Sequence, residues 1–422
     1  MKKLILLIGI LCAMMYVQAQ NLTYTMEVIT KLASEEFHGR GYYERGDYKA
    51  AEYIREEYKK VKLKAFGEYF QSFTLNINTF PSQMELKVDG KEMKAGKDFV
   101  MREYCSGRKG EFDVYTIDTA NYDFEKILAD IEELGAENLF IACDFYYMYA
   151  HREDMQSLYR SDIAGLLLFW DRQPHWYVAY AHFTVPKTII WLNKNVVEQP
   201  IKHLEMDIEN VFVENYETQN VIGYIEGKEH KDSFIVFTAH YDHLGRLGHD
   251  VYYPGANDNA SGIAMLLNLA EYFNKEENQA DYSIAFMAFA AEEAGLHGSK
   301  FVVDNPVFPN EQIRCVVNLD MIADLCDSVT VQVNDEARKD FGIMNDINKK
   351  EKYINAFKVE GISPHSDHYS FDQANIPAML FIMEGEIFDD YHTPLDTPDN
   401  IYLDVYKELY LLLRDYVNDL NK

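Results

Sequence analysis

Apolar and polar positions change their period several times along this chain, and the changes mark out elements. From Asn21 to about Phe80 the order is helix, loop, helix, strand. Within EEFHGRGYYERGDYKAAEYIREEYKKVKL, the residues Ala51, Ile54, Tyr58 and Val61 recur at helical spacing, which predicts an amphipathic helix. YFQSFTLNINTF is then strand-like. Between Pro81 and about Val213 the texture differs: short β-like runs (MELKVDG, FDVYTID, NLFIACDF, AGLLLFW, TIIWLN) surround one helical segment, FEKILADIEELGA. From Asn220 onward strands and helices alternate, as a mostly parallel sheet requires. FIVFTAH, SIAFMAFAAEE and CVVNLD are continuous apolar runs of buried-strand length. ASGIAMLLNLAEYF puts Ile263, Leu266, Leu267, Ala270 and Phe273 on a helix that packs against the sheet. At the C-terminus Ile401, Val405, Leu409, Leu412 and Tyr416 fall on one face of a docking helix.

Composition adds bounds to that pattern. The 422 residues are 48% hydrophobic and 14% aromatic, enough for a sizeable core and for more than one domain. MKKLILLIGILCAMMYVQAQ has two lysines, an apolar centre and a Val17-Gln18-Ala19 end, which reads as a Sec-type signal peptide cleaved after Ala19. The expected mature protein is exported, periplasmic or extracellular, and has no later run of membrane-spanning length. A formal charge of −29 disfavours nucleic acid and anionic membranes as partners and suits amine-bearing substrates. Beyond the leader, Cys105, Cys143, Cys315 and Cys326 have no CxxC spacing, which argues against a cysteine zinc site. Cys143 and Cys315 lie in apolar runs and read as small buried residues.

Chemistry concentrates between His240 and His392. The segments are FTAHYDHLG with His240 and Asp242, GANDNASG with Asp258, AAEEAGLHGS with Glu292 and Glu293, NLDM with Asp320, and DYHTPLDT with His392. His, Asp and Glu bind zinc through nitrogen and oxygen. Each occurs where an apolar run gives way to a polar turn, and the carboxyl ends of parallel strands share one crevice in open α/β sheets. His151, His175, His182 and His203 are scattered by comparison, and a structural or surface role is expected for each.

In this order the motifs resemble the co-catalytic zinc peptidases, the family of bacterial leucyl aminopeptidase, aminopeptidase Y, glutamate carboxypeptidase and glutaminyl cyclase. HGRG (His38 to Gly41) resembles that family's N-terminal Gly-Arg turn, and NVIGYIEG its return strand. The resemblance implies a three-layer α/β/α fold around a mostly parallel mixed sheet, formed by residues 20–81 and 214–422. It also implies an inserted, smaller α+β, β-rich domain of the protease-associated type over 82–213. Two zinc ions are implied: His240 and Asp320 on one, Glu293 and His392 on the other, and Asp258 bridging. Such pairs sit roughly 3.5–4 Å apart and activate a water. Glu292 is then the general base, Asp242 orients the His240 imidazole by accepting its other N–H, and Asp258-Asn259 is a candidate cis peptide.

Ser366, Asp367 and His368 are expected in the pocket wall without touching metal. The tyrosine that some relatives place just before them has no evident counterpart; Ser363, Pro364 and His365 stand there, leaving His365 or Tyr391 to polarise a carbonyl. The activity implied is that of an exported aminopeptidase acting on peptides. Alternatives on the same fold are a glutaminyl cyclase-like acyltransferase with one zinc, or a carboxypeptidase. The latter needs a basic pocket where the catalytic half offers only Arg246, Arg314, Arg338 and Arg414. A non-enzymatic binding protein ranks below these, because no ligand position is missing.

Overall fold

The computed structural model describes residues 20–421; the leader expected over residues 1–19 lies outside them. Two eight-stranded sheets organise the chain. The first runs in the order Phe70–Thr79, Val211–Ile225, Tyr282–Phe289, His230–His240, Ile313–Asp320, Ala378–Ile382, Val329–Val333, Phe357–Glu360. Its four central strands, Tyr282–Phe289 through Ala378–Ile382, are mutually parallel. Their side chains alternate between two apolar clusters, Ile235 and Phe237 in one, Phe234 and Val236 in the other. A sheet buried on both faces reads as the unbroken apolar runs seen in the sequence.

Helices cover both faces. On one side lie Leu22–Leu32, Gly46–Lys60, Ser261–Phe273 and Asp404–Asp419; on the other lie His297–Asp304 and His368–Gln373. Ser261–Phe273 is buried nearly all round, including Gly262, Ala264, Met265 and Leu269, because Leu22–Leu32 packs on the face turned away from the sheet. In Gly46–Lys60, Ala51, Ile54 and Tyr58 are buried as expected, while Val61 is the residue that caps the helix. The C-terminal helix begins at Asp404, so Ile401 precedes it, against expectation. Its buried face is Tyr406, Leu409, Tyr410, Leu412, Leu413, Tyr416 and Val417. Pro398–Asn400 forms a separate short turn of helix that ends at Ile401, and this accounts for the displacement.

The second sheet is built from strands between Met84 and Ile208. Four of them, Arg108–Thr116, Leu139–Asp144, Gly165–Trp170 and Thr188–Asn193, run parallel. The helices Phe124–Leu134, Phe145–Ala150 and Arg152–Arg160 lie in the connections between these strands. Between Trp170 and Thr188 a long loop leaves this sheet and reaches the first one: Trp176 donates its backbone N–H to the carbonyl of His392 at 3.1 Å. Cys105, Cys143 and Cys315 are buried free thiols and Cys326 is a half-buried one. No helix among the described residues is long and apolar enough to cross a membrane.

Candidate metal centre

Parallel register brings the first two acidic and imidazole groups together. Thr238 is level with Asn318 on the neighbouring strand, so His240 and Asp320, each two residues further and at its strand's last position, are level as well. The Thr238 hydroxyl donates to Asn318 Oδ1 at 2.6 Å beneath them. His240 Nε2 lies 3.3 Å from Asp320 Oδ1 and 3.2 Å from Asp258 Oδ1.

The other oxygen of Asp258 faces a second group. His392 Nε2 is 3.3 Å from Asp258 Oδ2 and 3.0 Å from Glu293 Oε2. Asp258 thus spans two clusters, one atom toward each. All five side chains are nearly or fully buried. A tightly packed set of carboxylates and imidazoles is costly unless charge balances it. Within the cluster the carboxylates oppose the effect of burial on the imidazoles: Asp320, Glu292 and Asp258 push the pKa of His240 up, and Glu293 and Asp258 push that of His392 up to about 10. His392 in turn holds Glu293 down at about 2, although burial opposes it.

This donor set fits divalent cations. His392 has no hydrogen-bond partner on either ring nitrogen although carboxylate oxygens of Asp258 and Glu293 lie 3.3 and 3.0 Å from Nε2, so a buried nitrogen without a partner faces the cluster. Two overlapping triads have all their ligand atoms within 4.8 Å of one another: His240, Asp258 and Asp320, and His243, Asp258 and Glu293. Two dications would offset the charges of Asp258, Glu293, Asp320 and Glu292. Among the described residues, His151, His175, His182 and His203 belong to no such group.

The supports are as ordered as the ligands. Asp396 accepts the backbone N–H groups of Asn257 and Asp258 at 2.7 and 2.9 Å, fixing the GAND loop from the segment that also carries His392. The Asp258–Asn259 peptide is cis. The Asp320 carboxylate accepts the Ser366 hydroxyl at 2.6 Å through Oδ2, opposite the atom facing His240. Asp367 is buried beside the cluster, and desolvation raises its carboxyl to about 7. His368 bonds to Gln332 at 3.0 Å, away from the ligands.

Arg40 is fully buried and gives all five guanidinium N–H groups to backbone carbonyls: Tyr241, Leu32, Pro254, Gly255 and Asp258, at 2.6–3.0 Å. It ties the HGRG turn to both the loop after His240 and the GAND loop. The turn must come close to do so. A Cβ on Gly41 would stand 2.4 Å from the Cα of Gly245, so only glycine permits this approach.

Glu292 and Glu293 lie three and four residues beyond their strand, which ends at Phe289 and not at the Glu pair as the sequence suggested. Asp242 holds this extension. Its carboxylate accepts the backbone N–H of Glu292 at 3.1 Å and of Glu293 at 3.3 Å. The expectation for Asp242 is corrected in one respect: His240 Nδ1 bonds to the Asp242 main-chain carbonyl at 3.1 Å, while the carboxylate Oδ1 is 3.8 Å away. The side chain is engaged by the Glu loop instead. The Glu292 carboxylate makes no hydrogen bond among the described residues, and burial together with Glu293, Asp367 and Asp320 pushes its pKa well above the usual range.

Two further residues at the cluster are not assigned individually by the sequence. His243 is fully buried with Nδ1 2.7 Å from Glu293 Oε1, and it stands in the same FTAHYDHLG motif as His240 and Asp242. Tyr177 comes from the long loop of the second sheet, and its ring meets His392 edge-on at 4.9 Å. Tyr391 stacks on His392 at 3.7 Å, whereas His365 is exposed and bonds to Ser363.

Residues 220–417 match the model of peptidase family M28. Aminopeptidase YwaD of Bacillus subtilis is 33% identical over 198 residues, 44% of this chain and 41% of that protein. A probable zinc metalloprotease of Pyricularia oryzae is 34% identical over 105 residues, 24% of this chain and 20% of its own. The chain therefore spans less than half the length of these curated relatives. Among solved structures, BSAP, a zinc aminopeptidase from Bacillus subtilis, aligns with a TM-score of 0.71 over 95% of both chains at 21% identity. A peptidase M28 precursor from Shewanella amazonensis aligns with a TM-score of 0.69 over 94% of this chain and 97% of its own at 14% identity. Identities this low speak for a shared fold.

Proposed function

We propose that the protein, whose residues 220–417 match the model of peptidase family M28, is an exported zinc aminopeptidase that hydrolyses the first peptide bond of peptides. The supporting observation is the pairing of five converging ligands with one unbonded carboxylate. His240 and Asp320 would hold one zinc, Glu293 and His392 the other, and Asp258 would serve both through its two oxygens. Zinc, when bound, supplies Lewis acidity and brings the pKa of water toward about 7.

The chain's own residues do the rest. Glu292, free of hydrogen bonds and of raised basicity, takes the proton of the attacking water at its carboxylate and returns it to the leaving amine. Asp242 sets the direction of that carboxylate through the backbone of the Glu loop. Tyr177 and Tyr391, packed about His392, keep bulk water from that side of the cluster. The acidic setting suits a substrate that presents a protonated amine. Residues 82–213 are read as an inserted domain that frames the cleft, and residues 1–19 as the export signal.

Replacing Glu292 by Gln tests this reading. The variant is expected to retain zinc and to lose roughly 10²–10⁴-fold in the release of free amino acids from unblocked peptides. Peptides blocked at the N-terminus are expected to resist the wild-type protein. Full activity in the variant would remove Glu292 from the mechanism, and cleavage of blocked peptides would remove the aminopeptidase reading.

A further inference from the structure

The second sheet carries a pocket of about 420 Å³, lined by Arg102, Tyr104, Phe145, Tyr149, Arg152 and Trp191 among others. Its size and its aromatic walls are those of a small-ligand site. Trp191 is only 8% exposed, yet its indole N–H has no hydrogen-bond partner. The ring is held rigidly, parallel to Trp170 at 5.2 Å with Phe145 edge-on to both. Tyr146 and Tyr149 leave more than half of their surface exposed beside it.

Charge distinguishes this pocket from the rest of an acidic molecule. Arg102 lies over Trp191 at 4.5 Å and pairs with Glu103 at 3.2 Å. Arg152 rests on the Tyr149 ring at 4.0 Å and pairs with no carboxylate among the described residues. One guanidinium therefore remains for an anion, next to a surface on which an aromatic or large aliphatic group would stack.

One side chain separates the wall of this pocket from the candidate metal centre. The Tyr177 ring stands 4.9 Å from that of His392 and 6.3 Å from that of Trp191, so one side chain bridges the two. Two or three extended residues, at about 3.3–3.6 Å each, cover such a span. Resting on the aminopeptidase reading above, we propose that this pocket is a substrate subsite. It takes the large apolar or aromatic side chain of a residue downstream of the scissile bond, with a carboxylate of the peptide on Arg152. Short peptides ending in such a residue are the favoured class.

The test uses the full-length protein and peptides that begin with X, the residue released fastest from simple amides. X-Ala-Phe is expected to exceed X-Ala-Gly by about tenfold in kcat/KM, mostly through KM. Gln156→Trp, which fills the pocket from its exposed rim, removes that preference. Arg152→Gln brings X-Ala-Phe down to the level of X-Ala-Phe-amide. Both variants leave hydrolysis of the X-amide unchanged. Equal rates on the Phe and Gly peptides, or preferences unmoved by both substitutions, overturn the proposal. Should the X-amide itself resist hydrolysis, the aminopeptidase reading fails and binding alone decides the pocket. N-acetyl-Ala-Phe then gives a saturable change in tryptophan emission that Arg152→Gln weakens. No saturable change up to tens of millimolar overturns the subsite.

Discussion

The Asp242 carboxylate accepts the backbone N–H of Glu292 at 3.1 Å, and its other oxygen accepts that of Glu293 at 3.3 Å. One buried acid thereby sets the position of both the proposed base and a proposed ligand. Groups that orient ligands in this way typically matter by 10–100-fold. Asp242→Ala is expected to lower kcat by that factor and to weaken zinc binding at the Glu293 side. Steady-state kinetics with excess zinc, compared with a chelator titration, separate the two effects. An unchanged kcat would mean that the Glu loop keeps its shape without Asp242.

His243 makes a second such contact, 2.7 Å from Glu293 Oε1. Whether it orients Glu293 or ligates beside it, its loss falls on one of the two proposed ions. His243→Leu is expected to weaken one zinc site by about 10–100-fold while the site of His240 and Asp320 keeps its affinity. Zinc titration with a competing chelator reads this directly, and equal weakening of both sites would contradict the assignment.

Arg40 is expected to act through stability. Its five hydrogen bonds satisfy five carbonyls that water does not reach. Lysine has only three donors and cannot span the same directions. Arg40→Lys should destabilise the protein by about 3–5 kcal/mol, the range for disrupting a buried charged network. Denaturant unfolding measures it. A change below about 1 kcal/mol would show that the HGRG turn is held by other contacts.

Much of the fold was legible because buried strands cannot hide. FIVFTAH and CVVNLD end at His240 and Asp320 as their apolar runs imply, since a strand flanked by helices on both faces needs apolar residues at every position. The C-terminal helix start was misplaced at Ile401, because helical spacing continues through a turn that Pro398 separates. At the site, each expected ligand stands in a motif, and the cluster brings all of them together. Asp242 shows where sequence stops: spacing places it near His240 but cannot say which of its atoms bonds to the ring. His243 was overlooked although it sits in the same motif, because a third polar residue past a strand end carries no periodic signal. Tyr177 stands in the aromatic stretch FWDRQPHWYVAYAHF, whose composition reads first as packing, and it arrives from a loop of the other sheet, far from His392 in sequence.

The central claim is that Asp258 lies between two zinc ions with Glu292 bound to neither. Anomalous diffraction from crystals of the zinc-loaded protein, collected at the zinc edge, tests it most directly. The account predicts two peaks flanking Asp258, one in contact with His240 and Asp320 and the other with Glu293 and His392. A single peak, or zinc ligated by Glu292, would contradict it.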